Sequence, residues 1–174
     1  MARVAAPTDH AARTPACACH PQAHVVNDGQ MSSMTTLNFA GYKAIVFGDP
    51  GCTGEPPAIL AATKSAWGAA ITGNVLLYGG DPSLHSKPNV VKSFIKFAAG
   101  GRTGTTGLYV ALSCYAEDKV GFLSVLGNDA TGYIVAVEGN YDSAAITATH
   151  PALEGLTEGA LSGWGPAAVS AGAS

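Results

Sequence analysis

The chain has 174 residues, enough for one domain with a real core. Hydrophobic residues make up 47% of it, charged residues 12%, and the net charge is −3. Its Lys and Arg form no run, so no nucleic-acid partner is expected. Apolar runs such as "AIVFG" and "NVLLYGG" fall far short of the roughly 18 residues a membrane helix needs, so no membrane span is expected.

Residues 1–21 read as a disordered or peripheral head, rich in Ala, Pro and His. No continuous apolar stretch marks a clear signal peptide there. The low charge and the Gly, Ala and Thr content suit an exported protein, so an extracellular or periplasmic location is the expectation. Cys17, Cys19 and two histidines crowd "CACHPQAH", but the spacing fits neither a zinc finger nor a haem attachment motif. The head is given no function.

A single α/β domain is expected over 22–165. "AHVVND" reads as a short strand. "MTTLNFAGYK" reads as a connector, with Leu37, Phe39 and Tyr42 available for packing. "KAIVFGDP" is a buried strand closed by Gly-Asp-Pro. "PPAILAATKSAWGAAI" reads as a helix with proline in its first turn and Ile59, Ala62, Ala66, Trp67 and Ala70 on one face. The unit repeats. "GNVLLYGGDP" is a second strand, and "PNVVKSFIKFAA" a second helix with Val91, Phe94, Ile95 and Ala98 inward. "GLYVALSC" is a third strand.

Continuous apolar strands alternating with helices predict a parallel sheet covered on both faces. Ile45, Val46, Leu76, Leu77, Val110 and Leu112 should be buried, and Trp67 and Phe94 should pack helices onto the sheet. Further on, "GYIVAVEG" and "AAITATH" read as strands, and "PALEGLTEGALSGWG" holds a short helical turn. Residues 166–174 are expected to fray. "GGRTGTTG" precedes a strand, whereas a phosphate cradle needs a loop opening a helix. It reads as a loop, and no cofactor is expected.

Ligands of open α/β sheets bind beyond the carboxyl ends of the strands. Asp49, Cys52, Asp81, His85, Cys114 and His150 fall at the ends of apolar segments and could share one rim. Three readings of Cys114 stay open: a nucleophile activated by His150, a disulfide partner of Cys52, or a buried apolar thiol. Asp49, Asp81 and His85 are chemically suited to Zn, Mn or Fe. Asp before Pro is also an ordinary turn signal that accepts backbone hydrogen bonds.

"GYKAIVFGDPGCTG", "NVLLYGGDPSLHS", "TGLYVALSCY" and "ITATHPALEGLTEGALSGWG" resemble bacterial, often exported, class I glutamine amidotransferase-like domains related to the ThuA-like proteins. The resemblance covers roughly residues 24 to 165. It implies a flavodoxin-like three-layer α/β/α sandwich with a mostly parallel central sheet. It places Cys114 at the strand-to-helix elbow and His150-Pro151 at a His-Pro pair. Two features depart from an active site of that type. Leu-Ser-Cys-Tyr lacks the elbow glycines, and Ala152 stands where a Glu would follow His-Pro, with Glu154 two residues on. "HPALEGL" is closer to the His-Pro-x-x-x-Gly-Leu pattern of ThuA-like domains.

The resemblance also implies that the first βα unit is missing or replaced by the head. A sheet edge left exposed would invite a second copy or another partner. The reading that follows is a non-catalytic or catalytically degenerate binding or structural module, with a small molecule or protein as its partner. One alternative is a Cys-dependent hydrolase or acyl transferase using Cys114 and His150. Another is a metal-assisted hydrolase using Asp49, Asp81 and His85.

Overall fold

The computed structural model describes residues 22–48, 56–112, 117–127 and 143–163. The head, the tail, "GYIVAVEG" and three of the candidate site residues, Asp49, Cys52 and Cys114, lie outside these. Three parallel strands form the sheet: β1 (Ala44–Phe47), β2 (Ile71–Tyr78) and β3 (Thr106–Ala111), in the order β1-β3-β2. Helices cover both faces, which makes the architecture the expected flavodoxin-like α/β/α sandwich.

The strand order dictates which helix goes where. The chain steps from β1 past the place of β3 to reach β2, then steps back. Crossovers between parallel strands are right-handed, so reversing direction moves the connection to the opposite face. The first connection, α3 (Ala58–Ala62) and α4 (Lys64–Ala70), therefore packs on one face. The second, α5 (Pro88–Ala99), packs on the other.

On the first face Trp67 is fully buried, with Phe47 edge-on at 5.1 Å and Phe122 at 6.4 Å. Its indole N–H donates to the Leu60 carbonyl at 2.9 Å, so the ring is buried without an orphaned donor. Phe122 comes from the 3₁₀ segment Glu117–Leu126, which returns to this face after β3. On the second face Phe94 sits 4.8 Å from the Tyr78 ring and 5.6 Å from the Tyr109 ring.

Burial follows position in the sheet. Every residue of the central strand β3 is buried. Ile45, Val110 and Leu112 are buried as expected. Val46 is not: it is 43% exposed, and Leu76 and Leu77 are only partly buried. β1 and β2 flank β3, so among the described strands they lack a neighbour on one side.

Local hydrogen bonds correct several expectations. "AHVVND" is no strand: Asn27 caps α1 (Asp28–Ser33), its side chain accepting from Gln30 N at 2.9 Å while Gln30 accepts from Asn27 N at 3.0 Å. The connector holds α2 (Thr36–Ala40), opened by the same reciprocal bonding between Thr35 and Asn38. Within it Phe39 is buried, whereas Leu37 faces solvent. The first long helix breaks at Thr63, whose hydroxyl donates to the Ile59 carbonyl at 2.7 Å. The break shifts the helical phase, so Leu60 is buried and Ala62 exposed. In α5 the most buried residues are Val90, Phe94 and Ala98, with Val91 and Ile95 partly buried.

"AAITATH" is not a strand either. Residues 143–163 form an irregular strap beside α5, carrying a 3₁₀ turn (Pro151–Leu153) and α6 (Glu158–Leu161). Its two limbs are joined by Ala144 N donating to Ser162 Oγ at 2.8 Å and Ile146 N to Glu158 Oε1 at 3.0 Å.

α5 lies closely on the sheet because Gly107 has no side chain. A Cβ there would overlap the Ala98 carbonyl oxygen and lie 2.7 Å from its carbon and 2.8 Å from Asn74 O. All three are backbone atoms, which a rotamer change cannot move. Gly107→Ala is expected to destabilise the fold by about 3 kcal/mol, the upper part of the overpacking range, measured by urea denaturation against wild type.

Candidate functional site

At the carboxyl ends of the strands the connections part company. The chain leaving β2 goes to α5 on one face, and the chain leaving β3 goes to the 3₁₀ segment on the other. Such a switch point is where open α/β sheets hold ligands. Asp81 and His85 both lie in the loop that leaves β2 there, as expected from the sequence.

Asp81 is first a turn residue. Its Oδ1 accepts from Ser83 N at 3.1 Å and Leu84 N at 3.0 Å, as the Asp-Pro signal implied. His85 N donates to the Asp81 carbonyl at 3.2 Å, and the His85 side chain is half-buried. Ser86 adopts a left-handed backbone, φ 53°, which lets Lys87 N reach the Pro82 carbonyl at 2.7 Å. Asp81 itself is 2% exposed.

Two tyrosines complete this end of the site. Burial pushes the Tyr78 phenol up to about 12. Burial also pushes the Tyr109 phenol up, helped by the nearby Tyr78 and by the Asp81 carboxylate. Both phenols therefore stay protonated at neutral pH. Sequence reasoning missed these residues. The only signal was the period-two alternation that sets Tyr109 on the same face of β3 as Ala111.

His150 lies elsewhere. Its ring packs on Phe97 at 5.3 Å, in the last turn of α5. α5 runs antiparallel to the strands, since Phe94 lies over Tyr78 and Tyr109 while Ala98 lies over Gly107. Asn74, in the first half of β2, donates its side-chain N–H to the Phe97 carbonyl at 2.8 Å. His150 is thus beside the amino-end half of the sheet, and Asp81 and His85 are at the carboxyl end. Its Nδ1 accepts from Ala152 N at 3.2 Å, capping the 3₁₀ turn.

Glu154 forms an exposed pair with Lys96, 3.6 Å apart. Among the described residues no three His, Cys, Asp or Glu side chains converge as metal ligands would. Two open hollows flank α5. One, of about 570 Å³, is lined by strap residues including His150. The other, of about 1040 Å³, is lined by Val91, Ile95 and Ala99 with Lys87, Lys92 and Lys96.

Compared with known proteins, the chain matches no family model, no curated protein and no solved structure. The functional reading therefore rests on the residues and their geometry.

If His150 acts as a cap, its loss is a stability effect. His150→Ala should destabilise the protein by about 1 kcal/mol, the usual worth of a side-chain cap. His150→Asn, which keeps an acceptor at the cap position, should recover most of that in urea melts.

Proposed function

We propose that the chain is a non-catalytic binding or structural module of amidotransferase-like architecture, exported, with a small molecule or protein as its partner. The observation that carries this reading is the placement of His150. A Cys-His pair needs thiol and imidazole in hydrogen-bond contact. Leu112, whose N–H donates to the Tyr78 carbonyl at 2.7 Å, marks the carboxyl end of β3. From Gly107, level with the last turn of α5, to Leu112 the strand rises about 16 Å. Cys114 follows two residues later, and two residues of chain span at most about 7 Å.

The Nδ1 lone pair of His150, which a general base at that nitrogen would use, is also engaged by Ala152 N. The missing elbow glycines and the alanine at position 152 fit the same reading. Fold alone does not decide function, so the weight rests on these side chains. The switch point at the ends of β2 and β3 is where such a module would take its ligand.

The chemistry of Cys114 tests the reading. Iodoacetamide labelling across pH, followed by mass spectrometry with and without reductant, should give a thiol that is inert or labels with an apparent pKa near the free value of about 8.5. A mass shift linking Cys52 to Cys114 before reduction would also fit a structural role. Fast labelling with an apparent pKa well below that value would contradict it and restore the nucleophile.

A further inference from the structure

The strap covers one flank of α5 and leaves the other open. It takes the side of Ser93, whose hydroxyl donates to the Ala152 and Glu154 carbonyls at 3.4 and 3.2 Å, and of Phe97, which packs on His150. Turned away from it is the row Val91, Ile95 and Ala99, spaced four residues apart and so aligned along the helix. All three are only partly buried, and they line the hollow of about 1040 Å³.

Lysines border the same hollow. Lys92 and Lys96 stand in the neighbouring row and are exposed, and Lys87 stands one turn before Val91. Lys87 Nζ donates to the Ser162 carbonyl at 2.8 Å. Lys96 meets Glu154 at 3.6 Å in an exposed pair. Such pairs hold weakly, so a partner's carboxylate can share the ammonium. Among the described residues no Asp or Glu lines the hollow, although acidic residues outnumber basic ones in the chain, 12 to 9. From Lys87 to Lys96 the lysines spread over about 14 Å of helix. A single anionic headgroup would meet charge at one end only. Carboxylates distributed along an apolar partner would meet all three lysines.

We infer that this flank of α5 is a docking groove for an amphipathic helix of another protein, one whose apolar row is flanked by Asp or Glu. The partner's apolar row packs on Val91, Ile95 and Ala99, as the ridges of one helix pack into the grooves of another. Its carboxylates meet the lysines, which selects the sign of its charge and speeds encounter. The inference rests on the binding-module reading for its class of function, yet it uses neither Cys114 nor His150.

Fluorescence anisotropy with the full-length protein and three labelled helical peptides of about 18 residues, five turns, tests the groove. All three carry the same Leu row, flanked by Glu, by Gln or by Lys. Wild type should bind the Glu peptide about tenfold tighter than the Gln peptide, lose that margin in high salt, and leave the Lys peptide unbound. Lys92→Glu combined with Lys96→Glu, both at exposed positions, should reverse the order and bind the Lys peptide. Ile95→Lys should bind none of them, and Ala99→Lys takes its place should it fail to fold by circular dichroism. No binding, equal binding of the Glu and Gln peptides, or an order that survives the charge reversal would overturn the groove. So would oleate binding in place of the peptides, or a wild-type dimer that Ile95→Lys breaks, which would assign the row to a lipid or to a second copy. The two readings fail separately. An inert Cys114 without peptide binding would remove this partner and keep the module, and a reactive Cys114 with selective peptide binding would do the opposite.

Discussion

The seating of α5 on β2 and β3 sets the geometry of the rest of the molecule. Three contacts fix it. The bare backbone of Gly107 accepts the Ala98 carbonyl. Asn74 ties the Phe97 carbonyl to β2. Phe94 fills the space between Tyr78 and Tyr109. Together they hold the helix antiparallel to the strands, with its amino end at the carboxyl rim of the sheet. The strap docks against this helix: Lys87 Nζ donates to Ser162 O at 2.8 Å near one end, and His150 packs on Phe97 near the other.

That geometry separates two groups of polar residues that a reading of the sequence alone draws together. Asp81, His85, Tyr78 and Tyr109 belong to the loop and strand ends at the rim. His150 belongs to the turn of the strap at the opposite end of α5. The length of the helix stands between them, at about 1.5 Å per residue. A residue at the end of an apolar segment is at a rim only if that segment is a strand of the sheet. Residues 143–149 are not, which is why His150 departs from the row of candidates.

Much of the fold was legible because its signals are local or periodic. Continuous apolar runs marked the three strands, and Pro88 opened α5 where its ring is tolerated. What the pattern could not show came from side chains competing with it. Asn27 and Thr35 cap short helices where the sequence read as a strand and a connector, and the Thr63 hydroxyl broke a long helix. Edge and centre were also invisible: Val46 and Val110 are the same residue type in similar runs, yet only the one in the central strand is buried. The turn role of Asp81 was readable from Asp-Pro, whereas the influence of its charge on Tyr109 depends on which strands are neighbours.

The central claim is that His150 lies at the opposite end of α5 from Asp81 and His85. A nitroxide attached at Ser83→Cys, an exposed position in the loop after β2, with Cys17, Cys19, Cys52 and Cys114 changed to Ser, would test it through paramagnetic broadening of histidine ring signals. The account predicts strong broadening of His85 and little of His150. Broadening of His150 equal to or greater than that of His85 would contradict it.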